Sequence, residues 1–338
     1  MKIHNKIFLY QLLFFLISST LYTSEASQKE FDKWLITYKK YALQKGVSQK
    51  TIDLAFKDVK FLEKVIGYDR KQPEFYEDTI TYISKRANKS RLKKANKLLK
   101  QNKKLFNDIE NNFLVEKELL LSLWGIETNF GTYVGKMDIL SSLATLSFDK
   151  RRSEFFTNEL LILLRLIENE QIDYKTLYGS WAGAFGFFQF MPSTMKNYAI
   201  DHDGNGYIDL KNNNDAYASA SNYLNQIGWK SENPCFYRID LSEDIPSKYL
   251  NISAKKLHHK KKLEYFRKYI KNNDLIDYKY NKLNIAIITP DKDIIPDAET
   301  LNPAYIVFDN YEIILKWNRS LRFALAVCTL KDKFKNAL

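Results

Sequence analysis

The stretch LLLSLWGIETNFG, residues 119–131, decides how the chain is read. An apolar run from Leu119 to Ile126 is broken only by Ser122 and then meets one carboxylate, Glu127. Small and polar residues follow, ending at Gly131. In a helix, Leu120, Leu123 and Glu127 fall on one face. Glu127 then sits where a core gives way to a cleft. A carboxyl partly removed from water resists ionising. That suits a general acid that stays protonated near neutral pH. Taken alone, the motif also fits a buried glutamate satisfied by a backbone or arginine partner.

The region around it, 116–230, is dense in apolar residues and glycine. EKELLLSLWGIE (116–127), SEFFTNELLILLRLIENE (153–170) and AYASASNYLNQIGW (216–229) read as helices. Between them lies GSWAGAFGFFQFMPS (179–193). Gly179, Gly183 and Gly186 allow tight turns or close approach of another group. Their spacing is not that of a dinucleotide loop, and no strand precedes them. Ser180 and Gln189 are polar groups among aromatics, a mixture that suits a sugar; a glycine-packed corner is the plainer alternative. DHDGNGYIDLKN (201–212) fits the start of an EF-hand, with Asp201, Asp203 and Asn205 at positions 1, 3 and 5 and Gly206 at 6. Tyr207 would offer a backbone carbonyl and Ile208 would pack inward. Position 12 is Asn212 rather than glutamate. A hard-cation site and a metal-free turn are both compatible with this pattern.

The flanks are less dense. Residues 27–115 read as a helical N-terminal region. FDKWLITYKKYALQKG (31–46) is helical to Gly46, Ser48 caps the next helix, and SRLKKANKLLKQNKKLFNDIENNF (90–113) is one long amphipathic helix. Residues 231–338 form a C-terminal region packing back on the core. Within it SAKKLHHKKKLEYFRKYIKNN (253–273) reads as a basic helix and KLNIAIITP (282–290) as a strand. AYIVFDNYEIILKWN (304–318) reads as two short strands around Asp309-Asn310, and SLRFALAVCTLKDKF (320–334) as a closing helix. The class is mainly α (α+β), without the βαβ alternation of a parallel sheet.

With 338 residues, 45% hydrophobic and 14% aromatic, the chain is a compact globule and not a disordered tail. The net charge of +12 fits attraction to a polyanion or a lysine-rich residue usage along the whole chain. The lysines are scattered and carry no nucleic-acid signature. MKIHNK, then twelve apolar residues, then Ser24 and Ala26 three and one positions before a cut, read as a secretory signal over 1–26. The apolar part is short for a membrane span; an uncleaved anchor is the alternative. No cysteine sits near the cut, so a lipid anchor is not expected. Cys235 and Cys328 either pair in an oxidising compartment or stay as two buried thiols. The histidines form neither a zinc site nor a Ser-His-Asp set.

LWGIETNFG, LATLSFDKRRSEFF, GSWAGAFGFFQFMPST and DHDGNGYIDL, in this order, resemble the B-type family of membrane-bound and soluble lytic murein transglycosylases. DRKQPEF (69–75) and EIILKWNRS (312–320) extend the likeness to roughly 30–335. The resemblance implies a lysozyme-like catalytic core over 116–230, with the EF-hand-like loop at 201–215 closed by Asp215. It implies cleavage of the β-1,4 bond between N-acetylmuramic acid and N-acetylglucosamine in peptidoglycan, without water, leaving a 1,6-anhydromuramoyl end. It puts the single catalytic acid/base on Glu127. It matches Ser180, Gln189, Phe190, Met191, Tyr223, Asn318 and, on looser alignment, Tyr82 to residues lining the glycan cleft. Trp317 stands where some members have tyrosine, and Phe323 replaces another tyrosine, so the phenol hydroxyls are lost. Expected alongside are no catalytic cofactor, a structural Ca2+, glycan strands as partner, a monomer with cell-envelope protein partners, and a periplasmic location. A hydrolytic muramidase and a non-catalytic peptidoglycan-binding protein are the rival functions.

Overall fold

The computed structural model describes residues 27–71, 77–292 and 301–337. The signal segment and part of DRKQPEF lie outside the described residues. The helices are 27–44 (α1), Gln49–Ala55 (α2), Glu63–Arg70 (α3), Thr79–Arg86 (α4), Lys89–Gln101 (α5), Lys103–Phe113 (α6) and Lys117–Thr128 (α7). They continue with Ile139–Phe148 (α8), Ser153–Glu168 (α9), Pro192–Tyr198 (α10), Asn213–Gln226 (α11), Leu263–Phe266 (α12), Asp309–Trp317 (α13) and Leu321–Lys335 (α14). The strands are short: Met137–Asp138 (β1), Tyr178–Gly179 (β2), Phe236–Ile239 (β3), Leu250–Asn251 (β4), Lys261–Lys262 (β5), Asn284–Ile288 (β6) and Ala304–Val307 (β7). The chain divides into two compact units, neither contiguous in sequence.

Among the described residues the first unit holds 27–70, Gly135–Ala184 and Met191–Ser193. α8 and α9 pack together at its centre. Every residue from Ile139 to Ser147 is buried, so the hydroxyls on α8 need partners. Ser141 and Thr145 accept the backbone N–H groups of Lys60 and Leu62, both at 3.0 Å, which fastens the chain before α3 to this helix. Phe31, Trp34, Phe61 and Phe148 form an aromatic cluster with ring centroids 5.4–6.0 Å apart. Ser48 caps α2 as expected, and its own N–H donates to Glu168 at the end of α9, 2.7 Å away. Glu159 is buried on α9; burial pushes its carboxyl above the usual range, against the opposing pull of Ser193, which donates N–H and O–H to it.

The second unit holds Lys71–Val134, Phe185–Phe190 and Thr194 onward. α7 is its axis. Leu119 through Gly125 are all buried, and α5, α6, α11 and α14 pack around them. A helix apolar on all sides needs such cover. The small sheet has the order β3-β7-β6-β4, with β5 on the edge of β6. β3 and β6 both run antiparallel to β7, and β4 runs parallel to β6. Ile239, Ile285, Ile287 and Ile306 of this sheet bury against Leu263, Phe266 and Tyr249. Cys235, just before β3, is bonded to Cys328 on α14, which settles the question left open by the sequence. Among the described residues no helix is long and apolar enough to cross a membrane.

Three sequence expectations are corrected here. The lysine-rich segment 253–273 is not one helix. It gives β5, the single turn α12 and a 3-10 turn, because Leu263 and Phe266 dock into the sheet core while Lys261 and Lys262 pair with β6. The stretch 304–318 is one strand and then a helix. Tyr311, Ile314 and Leu315 bury at helical spacing, and Asp309 and Glu312 sit favourably in the first turn. The long helix expected over 90–113 breaks at Asn102 into α5 and α6.

One buried charge cluster joins distant parts of this unit. Asp291 accepts the N–H of Thr79 at 3.0 Å and its hydroxyl at 2.5 Å, and pairs with Arg322 of α14 at 2.7 Å. Arg322 also donates to the carbonyl of Pro290. Removing one partner of a buried pair strands the other charge, at a cost of about 3–5 kcal/mol. Asp291→Ala should lower the unfolding free energy by that order in urea titration, and Arg322→Met with Asp291→Leu should recover much of the loss.

Candidate active site

The backbone around Glu127 is set by the residues that follow it. Asn129, Phe130 and Gly131 all adopt left-handed conformations, at φ +50°, +58° and +76°. For a phenylalanine this costs about 1–2 kcal/mol. The turn is held from several sides. Thr128 donates its hydroxyl to the carbonyl of Phe187 at 2.8 Å and accepts the N–H of Gly131 at 3.0 Å. Lys94 donates to the carbonyl of Asn129, and Arg91 to that of Gly125. The ring of Phe130 folds back on α7, where a Cβ on residue 125 would lie 2.8 Å from it and push the ring aside. The pattern W-G-I-E-T-N-F-G is thus the recipe for a helix end that reverses sharply just after one carboxylate.

Glu127 is half-buried on the last turn of α7. Its Oε1 accepts the indole N–H of Trp317, the last residue of α13, at 3.0 Å. Trp317 belongs to an aromatic wall: its ring lies 5.1 Å from Tyr223, 5.7 Å from Phe190 and 6.2 Å from Phe188. Tyr198 packs on the far side of Tyr223 at 4.4 Å. The Tyr223 hydroxyl donates to the carbonyl of Lys316, and burial pushes its pKa up to about 12, so it stays neutral. Asn318 ends α13 beside this wall, half-buried.

The segment 185–190 forms a closed loop. Phe185 and Phe190 exchange backbone hydrogen bonds at 3.0 and 2.9 Å. Inside it Gly186 and Gln189 are both left-handed, and the Gln189 amide donates to the carbonyls of Gly186 and Val134. The aromatic side chains on either side are thereby fixed. Ser180 lies in the other unit. Its hydroxyl oxygen accepts the N–H groups of Ala182 and Ala184, at 3.3 and 3.0 Å, which leaves the hydroxyl hydrogen to donate. Met191 is also in that unit, half-buried. Tyr82 corrects an expectation: it is 1% exposed, with the Arg86 guanidinium 3.4 Å above its ring, and so is a core side chain.

The loop after α10 gathers Asp201, Asp203 and Asp215, with carboxylate oxygens within 4.8 Å of one another. Asp201 accepts the N–H groups of Gly204, Asn205 and Gly206; Asn205 accepts that of Tyr207. Asp215 is fully buried and accepts the N–H groups of His202 and Asp209 at 2.9 and 2.8 Å. These partners are all neutral. Leu210, inside the loop, packs on Gly186 and accepts the N–H of Phe187 at 2.8 Å. The acidic loop therefore bears directly on the loop that carries the aromatic wall.

Comparison with known proteins places this arrangement. The sequence model described as "Transglycosylase SLT domain" matches residues 30–332, most of the chain. The chain belongs to the transglycosylase SLT domain family. Membrane-bound lytic murein transglycosylase B of Escherichia coli (strain K12) is 46% identical over 116 residues, which is 34% of this chain and 32% of that protein. The match therefore spans about a third of that curated relative's length. SltB3 from Pseudomonas aeruginosa, solved with NAG-NAM-pentapeptide and with NAG-anhNAM-pentapeptide, superposes with a TM-score of 0.78 at 30% identity, over 90% of this chain and 79% of that one. An Escherichia coli lytic transglycosylase solved in complex with calcium has a TM-score of 0.72 at 24% identity, over 90% and 93% of the two chains. The mainly helical, lysozyme-like class expected from the sequence holds.

Within this transglycosylase domain, sequence reasoning named Glu127, Phe190, Tyr223 and Trp317, and the fold brings them together. It missed Phe188 and Tyr198, whose rings complete the wall; the spacing Phe185, Phe188, Phe190 in one glycine-rich loop was the available signal. It gave Trp317 only an aromatic face and missed its donor. Gly186 is the tightest point of the wall's loop: a Cβ there would sit 2.5 Å from Leu210 Cβ and 2.8 Å from its carbonyl oxygen, at φ +77°. Left-handed strain and overpacking together cost about 2–5 kcal/mol. Gly186→Ala should show that loss in denaturant unfolding and a quenching change in Trp317 fluorescence.

Proposed function

We propose that this protein is a lytic transglycosylase that cleaves the β-1,4 MurNAc–GlcNAc bond of peptidoglycan and leaves 1,6-anhydromuramoyl ends. The observation that carries the reading is Glu127, half-exposed at the sharp end of an otherwise buried helix and held by Trp317 against an aromatic wall. Aromatic faces take sugar rings, and a carboxyl beside them is the group type that serves as general acid and base. In the proposed reaction Glu127 donates that proton to the glycosidic oxygen as the bond from C1 breaks. Positive character at C1 is relieved by the sugar's own N-acetyl oxygen. Glu127, now a carboxylate, takes the proton of the C6 hydroxyl, whose oxygen bonds to C1. The nucleophile is tethered to the substrate, so one carboxyl serves where most glycosidases use two. Tyr223, Trp317 and Asn318 are the proposed wall of the glycan site, with Gln189 bracing it; Phe190, 3% exposed, lies behind the rings of Tyr223 and Trp317 and corrects the expectation that it lines the cleft. Ser180 and Met191 are proposed as further sugar contacts on the family motif alone.

Asp201, Asp203, Asn205, Asp215 and the Tyr207 carbonyl fit a hard cation such as Ca2+. The carboxylate oxygens of Asp201, Asp203 and Asp215 converge within 4.8 Å of one another, and Asn205 and the Tyr207 carbonyl join them on the EF-hand spacing alone. A cation there would be structural, holding Leu210 against the wall's loop. The Cys235–Cys328 bond supports an oxidising compartment, and with the sequence of residues 1–26 the periplasm.

Digestion of purified sacculi should release anhydromuramoyl products, and Glu127→Gln should lower turnover by more than about 10²-fold with glycan binding kept. Reducing ends in place of anhydro ends would point to a muramidase, and full activity of the variant to another acid. Ca2+ at 100 times its Kd should stabilise the fold by about 2.7 kcal/mol. A rise in Tm that Asp201→Ala removes is the expected result; chelation should leave the parent folded but less stable.

A further inference from the structure

We propose that the basic face of the small sheet docks the protein on a bilayer of anionic phospholipid, through Lys248, Lys261 and Lys268 gathered around the Tyr249–Tyr265 pair. Lysine is abundant along the whole chain, so its number alone points to no partner. What sets these three apart is convergence. Lys248 lies on the turn before β4, Lys261 on β5 and Lys268 on the turn after α12. The ammonium of Lys268 is 5.2 Å from the ring centre of Tyr265 and 4.8 Å from that of Tyr269. That of Lys261 is 6.0 Å from Tyr265, and that of Lys248 is 5.2 Å from Tyr249. The hydroxyls of Tyr249 and Tyr265 are 2.9 Å apart. The Tyr265 phenol is held below its usual range, first by the hydrogen bond with Tyr249 and then by Lys268, Lys248 and Lys261. Three positive charges thus act on one surface side chain.

Like charges held together repel unless a counter-charge answers them. Among the described residues no carboxylate lies within ion-pair reach of Lys248, Lys261 or Lys268. Glu264 is taken by Lys282, Asp277 by Lys279, and Asp309 and Glu312 by Lys260. The phenols that seat the lysines are held in place, because Tyr249 and Tyr269 are buried in the sheet core with Phe266. A phospholipid headgroup answers such a cluster. Its phosphate oxygens accept from the ammonium groups, and each lysine near an anionic bilayer strengthens binding about five-fold. Tyr265, and Ile252 just past β4, are 39% and 40% exposed. They favour a bilayer over a polyanion in solution. A phenol ring sits well at headgroup depth, and an exposed isoleucine gains where hydrocarbon is near. A glycan strand offers no hydrocarbon. Docking of this kind is independent of the bond the protein cleaves.

The test is cosedimentation with lipid vesicles, using the mature chain from Ser27 onward so that the apolar leader adds no lipid affinity of its own. One set of vesicles mixes phosphatidylglycerol with phosphatidylcholine; the other is phosphatidylcholine alone. The parent should bind the first and not the second, and added salt should weaken the binding. Lys248→Gln, Lys261→Gln and Lys268→Gln together should weaken it about 100-fold. Arginine at the same three positions should preserve it. Lys50→Gln, Lys57→Gln and Lys104→Gln together remove the same charge from exposed positions elsewhere and should change it little. Equal weakening by the two glutamine triples would make overall charge the cause and overturn the patch; so would equal binding to both kinds of vesicle. A parent that binds no vesicle overturns the proposal outright, and sacculus binding lost only in the patch triple would then give this face to wall polymer. Every readout is binding, so none depends on cleavage.

Discussion

A helix with no polar face must be covered on every side, and α7 is that helix. Burying each of its leucines is worth about 1.5–3 kcal/mol, which is recovered only if neighbours close around it. α5, α6, α11 and α14 do so, drawn from sequence positions more than 200 residues apart. The carboxylate emerges where that cover ends. Glu127 is therefore placed by the packing of the apolar residues behind it.

From that point the chemistry is divided among different kinds of residue. Glycines and left-handed turns at 125–131 and 186–189 fix the backbone. Tyr198, Tyr223 and Trp317 form a partly exposed stack, backed by the buried rings of Phe188 and Phe190. The indole N–H of Trp317 donates to the carboxyl of Glu127. The acidic loop lies behind, with Leu210 as its contact to the wall.

Much of this was legible in the sequence because it is local. The helices α7, α9 and α14 announce themselves by apolar runs, α2 by its serine cap, and the acidic loop by spacing. The failures have a common cause. Ile313 and Ile314 are β-branched and follow an Asp-Asn pair, so the segment imitates a hairpin; the buried spacing of Tyr311, Ile314 and Leu315 wins in the fold. The lysine-rich stretch shows helical spacing, but its apolar residues are claimed by a sheet core that no local pattern reveals. The bond from Trp317 to Glu127 spans 190 residues of chain. Only the identity of its two ends could be read; that they meet could not.

The chain passes between its two compact units repeatedly, at residues 70–71, 134–135, 184–185, 190–191 and 193–194. No single cut yields either unit whole, and no linker exists whose lengthening would part them cleanly. A cut between residues 71 and 193 would leave pieces of both on each side. Such a protein is inherited as an indivisible object, and point changes and loop insertions are open to it where the exchange of modules is not.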